Sequence, residues 1–367
     1  MIINKLIIKI HNFTIKYKKR VEANIMRRVV IQKPNKIVIK EPKMPEPEPS
    51  EILLEIAYCG ICGSDLHAFQ GKHPFIPLPA TPGHEFSAII EQVGKEVSNF
   101  KKGDRVTVEP SLTCGECYNC RIGRYNICEN LRVMGCQGDG AMADYLIVPS
   151  EKVIPIPDDL SLLDAVLSEP IAVGVHAAKK AGVLLNKNVV IIGSGMIGLS
   201  VLANVVKGGA ENITVIDLSD SRLKKAEILG ATQTINATKT DAMEEMKQNQ
   251  PYEGIDVVFE CVGVEQSIRD AIEIVRKGGK IIVVGVFGEE TEVQMAYVQD
   301  RELELIGSLM YIRRDFTEAV KMLANKEISP ELFISKIIPL KKAQQAFEQA
   351  FNKEENLKII LEINKEK

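Results

Sequence analysis

The chain has no tryptophan, and all its aromatics amount to only 5 % of 367 residues. A stacking platform for nucleic-acid bases needs more than that. Neither charge sign dominates: 46 Lys and Arg stand against 49 Asp and Glu, a formal net charge of −3. That balance leaves no electrostatic footprint for nucleic acid or an anionic membrane. Uncharged runs are short. The longest, Asn188 to Val206, spans 19 residues, but Gly193, Gly195 and Gly198 punctuate it as a turn rather than a membrane span. Eight cysteines are too few to staple a chain of this length through disulfides. The basic amino terminus lacks a continuous apolar core and a small-residue cleavage site, so it does not read as a secretory leader. What is present is a globular composition, 45 % hydrophobic and 26 % charged, with length for two domains and a cytoplasmic address.

Residues 1–25 read as an extension, frayed or upstream of the true start, because a second candidate start stands at Met26. From Arg27 to about Pro155, short strand-like runs (RRVVIQ, KIVIKE, EILLEIAYC, SAIIEQVG, DRVTVEP, DYLIVP) are separated by turn chemistry such as KPN and LPATPGH. This predicts an all-β lobe with long loops. After Ile171 the pattern changes. Apolar runs (NVVII, NITVID, DVVFEC, KIIVVGV, LELIGS) alternate with helical stretches, the signature of a parallel sheet covered on both faces. Val264, Ile268, Ala271, Ile272 and Val275 fall at helical spacing ahead of Gly278-Gly279. Past Tyr311 two further helices are expected, with Phe316, Ala319, Val320 and Leu323 on one apolar face and Ala343, Ala346, Phe347, Ala350 and Phe351 on the other's. A closing strand, LKIILEI, then has the reach to complete the first lobe.

Three constellations carry chemistry. Gly193-Ser194-Gly195-Met196-Ile197-Gly198 follows the expected strand and opens a helix, and Asp217 lies 19 residues past Gly198 at the end of the next strand. That context gives a tight turn, backbone approach to a pyrophosphate, and a carboxylate for the ribose hydroxyls. With Leu218 and Ser219 following Asp217, no base stands ready for a 2′-phosphate, so NAD is expected over NADP. Cys114, Cys117, Cys120 and Cys128 form C-x2-C-x2-C-x7-C, which matches a closed four-thiolate zinc site of structural role. An iron–sulfur run would need a different last spacing and a proline. The third group is scattered: Cys62, Ser64, Asp65 and His67 in GICGSDLH, His84 and Glu85 in PGHEF, and Glu169 in SEPIAVGVHA. A thiolate, an imidazole and one carboxylate suit a second zinc with an open position; a second directly bound carboxylate would leave that site net anionic. One of Glu85 and Glu169 is therefore expected to bind directly and the other through water. Ser64 and His67 are candidates for a proton relay or, alternatively, for local loop hydrogen bonds. His176 reads as structural.

Taken together, GICGSDLH, TPGHEF, the four-cysteine run, SEPIAVGVHA and VIIGSGMIGL resemble the zinc-dependent medium-chain alcohol and polyol dehydrogenases, in the branch of sorbitol, butanediol and threonine dehydrogenases. The resemblance implies an α/β protein: a GroES-like β-barrel catalytic domain (26–175 and 312–367) and a doubly wound, Rossmann cofactor domain (176–311). It implies one catalytic and one structural zinc, NAD as hydride acceptor, and a secondary alcohol as substrate (a polyol, a vicinal diol or a sugar acid). An amino alcohol such as L-threonine, or a non-catalytic zinc- and NAD-binding role, are the alternatives. By the resemblance Cys62 and His84 are catalytic-zinc ligands with Glu85 and Glu169 as alternative carboxylates, Cys59 is not a ligand, Asp65 orients His84, and Ile197, Asp217 and Arg222 hold NAD. Relatives pair through their cofactor domains as homodimers or homotetramers. Polyol members present an Arg-Tyr pair where this chain has Met310-Tyr311, so a hydroxyl clamp is missing, and Arg313 is a candidate substitute.

Overall fold

The structure, a computed structural model, describes residues 24–364 apart from 250 and 353. The extension read over 1–25 lies, but for Asn24 and Ile25, outside the described residues.

Six strands form a parallel sheet in the order Gln233–Asn236, Asn212–Asp217, Asn188–Ile192, Ile255–Glu260, Val275–Val283, Glu304–Gly307. In chain order this is 3-2-1-4-5-6, with the direction of winding reversing beside the Asn188–Ile192 strand. The apolar strands explain why both faces are covered. Val189 and Ile191 pack into one core with helices Ser168–Ala181, Met196–Lys207 and Arg313–Ala324. Val190 and Ile192 point the other way, into a core with Ile268, Ala271 and Ile272 of helix Glu265–Ile274. Each such fully buried Val or Ile contributes roughly 1.5–3 kcal/mol relative to an exposed one.

The helix expected to run through Val275 stops at Ile274. Val275 is extended (ψ 138°) and pairs with Ile255, because the sheet ladder captures it before the glycine pair is reached. Besides the two- and three-residue strands Ser111–Leu112, Arg132–Val133 and Val153–Pro155, two longer strands, Gln233–Asn236 and Ile334–Pro339, were not marked by the apolar-run pattern. Both are end strands of their sheets, where polar residues are tolerated.

The other lobe is a seven-stranded sheet built around the ten-residue strand Glu51–Gly60. That strand pairs Phe86–Val93 along one edge. Along the other it pairs Tyr145–Pro149 through its first half and Lys358–Glu362 through its end, with Ile360 opposite Gly60 and Leu361 opposite Cys59. The carboxy-terminal strand therefore does return to finish the first lobe. Its buried face, Ile359 and Leu361, joins Ile52, Leu54, Ile56 and Phe347 in a separate core. Among the described residues, no helix is long and apolar enough to cross a membrane.

Candidate active site

The strand Glu51–Gly60 delivers the chain to Cys62, the N-cap of helix Gly63–Phe69. Asp65, fully buried in the first turn, accepts a hydrogen bond from the Cys62 amide on Oδ2 at 2.9 Å, which fixes the thiol's backbone. Across the lobe Gly83 precedes His84 with φ +105°, and a Cβ there would stand 2.7 Å from the Cys59 sulfur. That close approach brings His84 and Glu85 into the interior, 6 % and 1 % exposed. The result is convergence: one donor atom each from Cys62, His84 and Glu85 lie within 4.8 Å of one another. Ligands about 2.0–2.3 Å from one tetrahedral ion sit somewhat closer than that, so a small inward movement would let all three share it. His84 Nδ1 faces Asp65 Oδ1 at 3.8 Å, and neither atom has another partner. Burial disfavours a charged His84, but the Asp65 carboxylate and the Cys62 sulfur overcome this and hold the ring well above its ordinary value. An electropositive group is wanted at this point.

Two further groups complete the site. Glu169 lies in the first turn of helix Ser168–Ala181, 7 % exposed, and its Oε1 accepts from the Tyr311 hydroxyl at 2.6 Å. Burial lifts its carboxyl to about 7. It is not among the three groups within ligand distance of each other. Lys358, from the returning strand, donates to both Glu85 oxygens at 2.7 and 2.6 Å and to the Ile61 carbonyl at 3.1 Å, with the pair 3 % and 1 % exposed. Sequence reasoning missed Lys358. The only signal was a lysine beginning an apolar strand, where it reads as an edge charge. Ser64 and His67 lie on the helix that Cys62 caps, half-buried and exposed respectively. Cys59 is fully buried, and burial raises its thiol well above the ordinary range. Arg313 is already engaged: its guanidinium donates to the Glu151 and Val153 carbonyls at 2.5 and 2.6 Å, which leaves no role as a substrate clamp.

The four-cysteine loop forms its own centre. Sulfur–sulfur distances are 4.0 Å (Cys114–Cys120), 4.0 Å (Cys117–Cys128) and 3.5 Å (Cys114–Cys128). Four thiolates at ~2.3 Å around a tetrahedral zinc are roughly 3.8 Å apart, so this cradle has the dimensions of that ion. Backbone amides of Cys114, Cys117 and Asn130 each point at a sulfur at 3.4 Å, which favours thiolates. At Cys117 the backbone amides of Glu129 and Cys120 do the same and bring its thiol down to about 6.

On the cofactor side, Gly193 (φ +93°) ends its strand and Gly195 caps helix Met196–Lys207. A Cβ on Gly198 would meet the Gly193 carbonyl at 1.7 Å, so the helix can enter at this angle only without a side chain there. Ile197 is half-buried beside it. Asp217 ends its strand as expected and accepts from the Ser194 amide at 2.6 Å on one oxygen and from Leu218 and Ser219 amides at 2.8 and 2.9 Å on the other. Arg222 Nη1 is 4.0 Å from Asp217 Oδ2. The helix amino terminus, its first-turn amides and this carboxylate stand together at the reversal point of the sheet, with the chemistry that a pyrophosphate and a ribose require.

Comparison with known proteins agrees with this layout. Residues 48–158 match the family model of the alcohol dehydrogenase GroES-like domain and residues 196–325 that of the zinc-binding dehydrogenases. The chain is 34 % identical to the sorbitol dehydrogenase of Bacillus subtilis over 93 % of its own length and 98 % of that protein. A solved oxidoreductase of unknown specificity from Escherichia coli superposes with TM-score 0.88 at 34 % identity, covering 93 % and 99 % of the two chains. A zinc-binding dehydrogenase from Sinorhizobium meliloti, solved with NADP, gives TM-score 0.85 at 29 % identity over 92 % of this chain and 99 % of that one. The chain belongs to the zinc-dependent medium-chain alcohol dehydrogenase family. It is an α/β oxidoreductase in which a GroES-like lobe faces a Rossmann-type sheet, and it acts on CH–OH donors with zinc and a nicotinamide cofactor.

Proposed function

We propose that the protein oxidises a secondary alcohol with NAD+, the substrate being a vicinal diol, polyol or sugar acid. The observation that carries this is the approach of Cys62, His84 and Glu85 donor atoms to within 4.8 Å, with Glu169 of the helix Ser168–Ala181 close enough to feel the charges of His84 and Glu85. In this reading those three residues hold the reaction zinc directly, and Glu169 faces it through water. Lys358 with a divalent ion brings three positive charges against the Cys62, Glu85 and Asp65 groups, and burial that lifts Glu169 to about 7 lightens the remaining negative charge. Lys358 thus removes the objection to two carboxylates in one site.

When bound, zinc supplies a Lewis acid that makes an alcohol hydroxyl acidic near neutrality, and NAD+ supplies the hydride acceptor. The chain's own groups do the rest. Asp65 sets the His84 ring. Ser64 accepts the alcohol proton as its own hydroxyl proton passes to His67, three residues along the same helix face and open to solvent. Gly193, Gly195, Ile197 and Gly198 bring backbone and helix terminus to the pyrophosphate, and Asp217 with Arg222 takes the adenosine ribose, favouring NAD. The four cysteines hold a second, structural zinc.

Met310, packed on the apolar core in place of a guanidinium, favours a short vicinal diol over a long polyol. A cytoplasmic location is supported by eight thiols, none paired. A homodimer or homotetramer is supported by the outward edge of strand Glu304–Gly307, exposed at three of four residues. The test is NADH formation by the zinc-loaded protein on a panel of diols, polyols, sugar acids and L-threonine. Turnover of a vicinal diol above the others supports the reading. Preference for threonine assigns the amino-alcohol activity instead, and no turnover despite bound zinc and NAD shows a binding protein.

A further inference from the structure

The four-cysteine lobe has contacts that a simple staple does not need. The 3-10 turn Tyr125–Ile127, directly before Cys128, reaches to the segment that links the last sheet strand to helix Arg313–Ala324. Asn126, 4 % exposed, donates from Nδ2 to the Leu309 carbonyl at 2.8 Å. The Tyr125 hydroxyl accepts from the Arg313 amide at 2.5 Å and is itself turned toward the buried Glu109 carboxylate, which takes the Ser111 hydroxyl at 2.8 Å. His176 stands behind Asn126, with Nε2 at 3.5 Å and Nδ1 bound to Asp315 at 2.7 Å.

Between these two anchors lie only three residues. Met310 has φ +48°, a left-handed conformation uncommon for a residue with a Cβ. Tyr311 follows, with no exposed surface, and its hydroxyl is the one that holds Glu169. The two hydrogen bonds from the lobe therefore bracket the kink that aims Tyr311.

We propose that the four-cysteine lobe is a positioning element for the reaction site: Asn126 and Tyr125 clamp the chain at Leu309 and Arg313, and through the Met310 kink they fix the Tyr311 hydroxyl that sets Glu169. This rests on the reading above that Glu169 faces the reaction zinc. Asn126 and Tyr125 are positioning residues and touch no substrate. A displacement of about 1 Å in such a chain can cost on the order of 100-fold in rate without changing ligand binding.

The experiment compares Asn126→Ala, Tyr125→Phe, Tyr311→Phe and the double variant Asn126→Ala/Tyr311→Phe. Four readouts are taken: zinc content, NAD affinity, kcat and KM separately, and the visible spectrum of protein with cobalt(II) in the reaction site. The clamp requires that Asn126→Ala and Tyr125→Phe keep wild-type zinc content and NAD affinity, lower kcat by about tenfold or more with KM little changed, and shift the cobalt spectrum as Tyr311→Phe does. The double variant should be no slower than Tyr311→Phe alone, because both changes act along one path. If Tyr311→Phe alters kcat and spectrum while both lobe variants leave them at wild type, the clamp is overturned and the site reading stands. Multiplicative losses in the double variant overturn it too. If Tyr311→Phe itself moves neither readout, the clamp and the role given to Glu169 fall together.

Discussion

Replacing Lys358 with methionine should destabilise the metal-free protein far more than the zinc-loaded one. The pair it breaks is buried on both sides, 3 % and 1 % exposed, with contacts of 2.6 and 2.7 Å. At that distance and an effective dielectric of ~20, two unit charges attract by roughly 6 kcal/mol, most of it offset by the cost of desolvating them. Removing one partner strands the other as an uncompensated buried charge, which costs about 3–5 kcal/mol. In Lys358→Met without metal, Glu85 must bear that cost or take up a proton. With zinc at Cys62 and His84, the ion supplies the missing positive charge and the loss shrinks. Denaturant unfolding of wild type and variant, each with and without zinc, reads the difference. The effect of the mutation should differ between the two states by at least ~1.4 kcal/mol, tenfold in the unfolding constant. Glu85→Gln in the Lys358→Met background should recover much of the metal-free loss. Equal destabilisation in both states would refute the reasoning, because it would mean that no cation reaches Glu85.

Cys62→Ala should abolish turnover while NAD affinity, by calorimetry, stays near wild type; retained turnover removes Cys62 from the chemistry. Asp217→Ala should shift the ratio of kcat/KM for NAD over NADP toward NADP by about tenfold or more, since one lost ribose clamp is worth on the order of 1.5–3 kcal/mol. An unchanged ratio contradicts the ribose role. Cys120→Ser should release the lobe's zinc and lower the thermal midpoint, read by metal analysis and calorimetry; a full metal complement in the variant would show that the four sulfurs do not share an ion. Asp315 gives a pH prediction. Burial pushes its carboxyl up, but hydrogen bonds from His176 and Lys179 bring it down to about 2, against an ordinary 3.8. A carboxyl depressed in the folded state contributes stability above pH ~4 that is lost as pH falls through about 2, roughly 2 kcal/mol in total. Acid unfolding of Asp315→Asn should lack that component between those limits, and a wild-type acid profile would contradict it.

What could be read in the sequence was local in the chain. Gly193 to Gly198 and Cys114 to Cys128 are short runs whose spacing alone dictates a backbone turn or a sulfur cradle, and both formed as read. Cys62 and His84 stood out because each belongs to a compact motif. The partners that complete the site came from far away: Lys358 is 273 residues from Glu85, and Tyr311 is 142 from Glu169. Nothing in periodicity connects residues across such intervals, since the sheet register that brings Ile360 opposite Gly60 is set by the whole lobe. Charge reasoning without Lys358 therefore made the second carboxylate look too expensive. Arg313 misled for the same reason, as its carbonyl partners lie 160 and 162 residues upstream. The strand pattern erred where the sheets end, in Gln233–Asn236 and Ile334–Pro339, because an outer strand is not required to be apolar.

The most direct test of the central claim is anomalous scattering at the zinc edge from crystals of the zinc-loaded protein. Two peaks are expected: one inside the four cysteines, and one about 2.0–2.3 Å from the Cys62 sulfur, a His84 nitrogen and a Glu85 oxygen. A peak among the four cysteines alone, with none beside Cys62 and His84, would contradict the account.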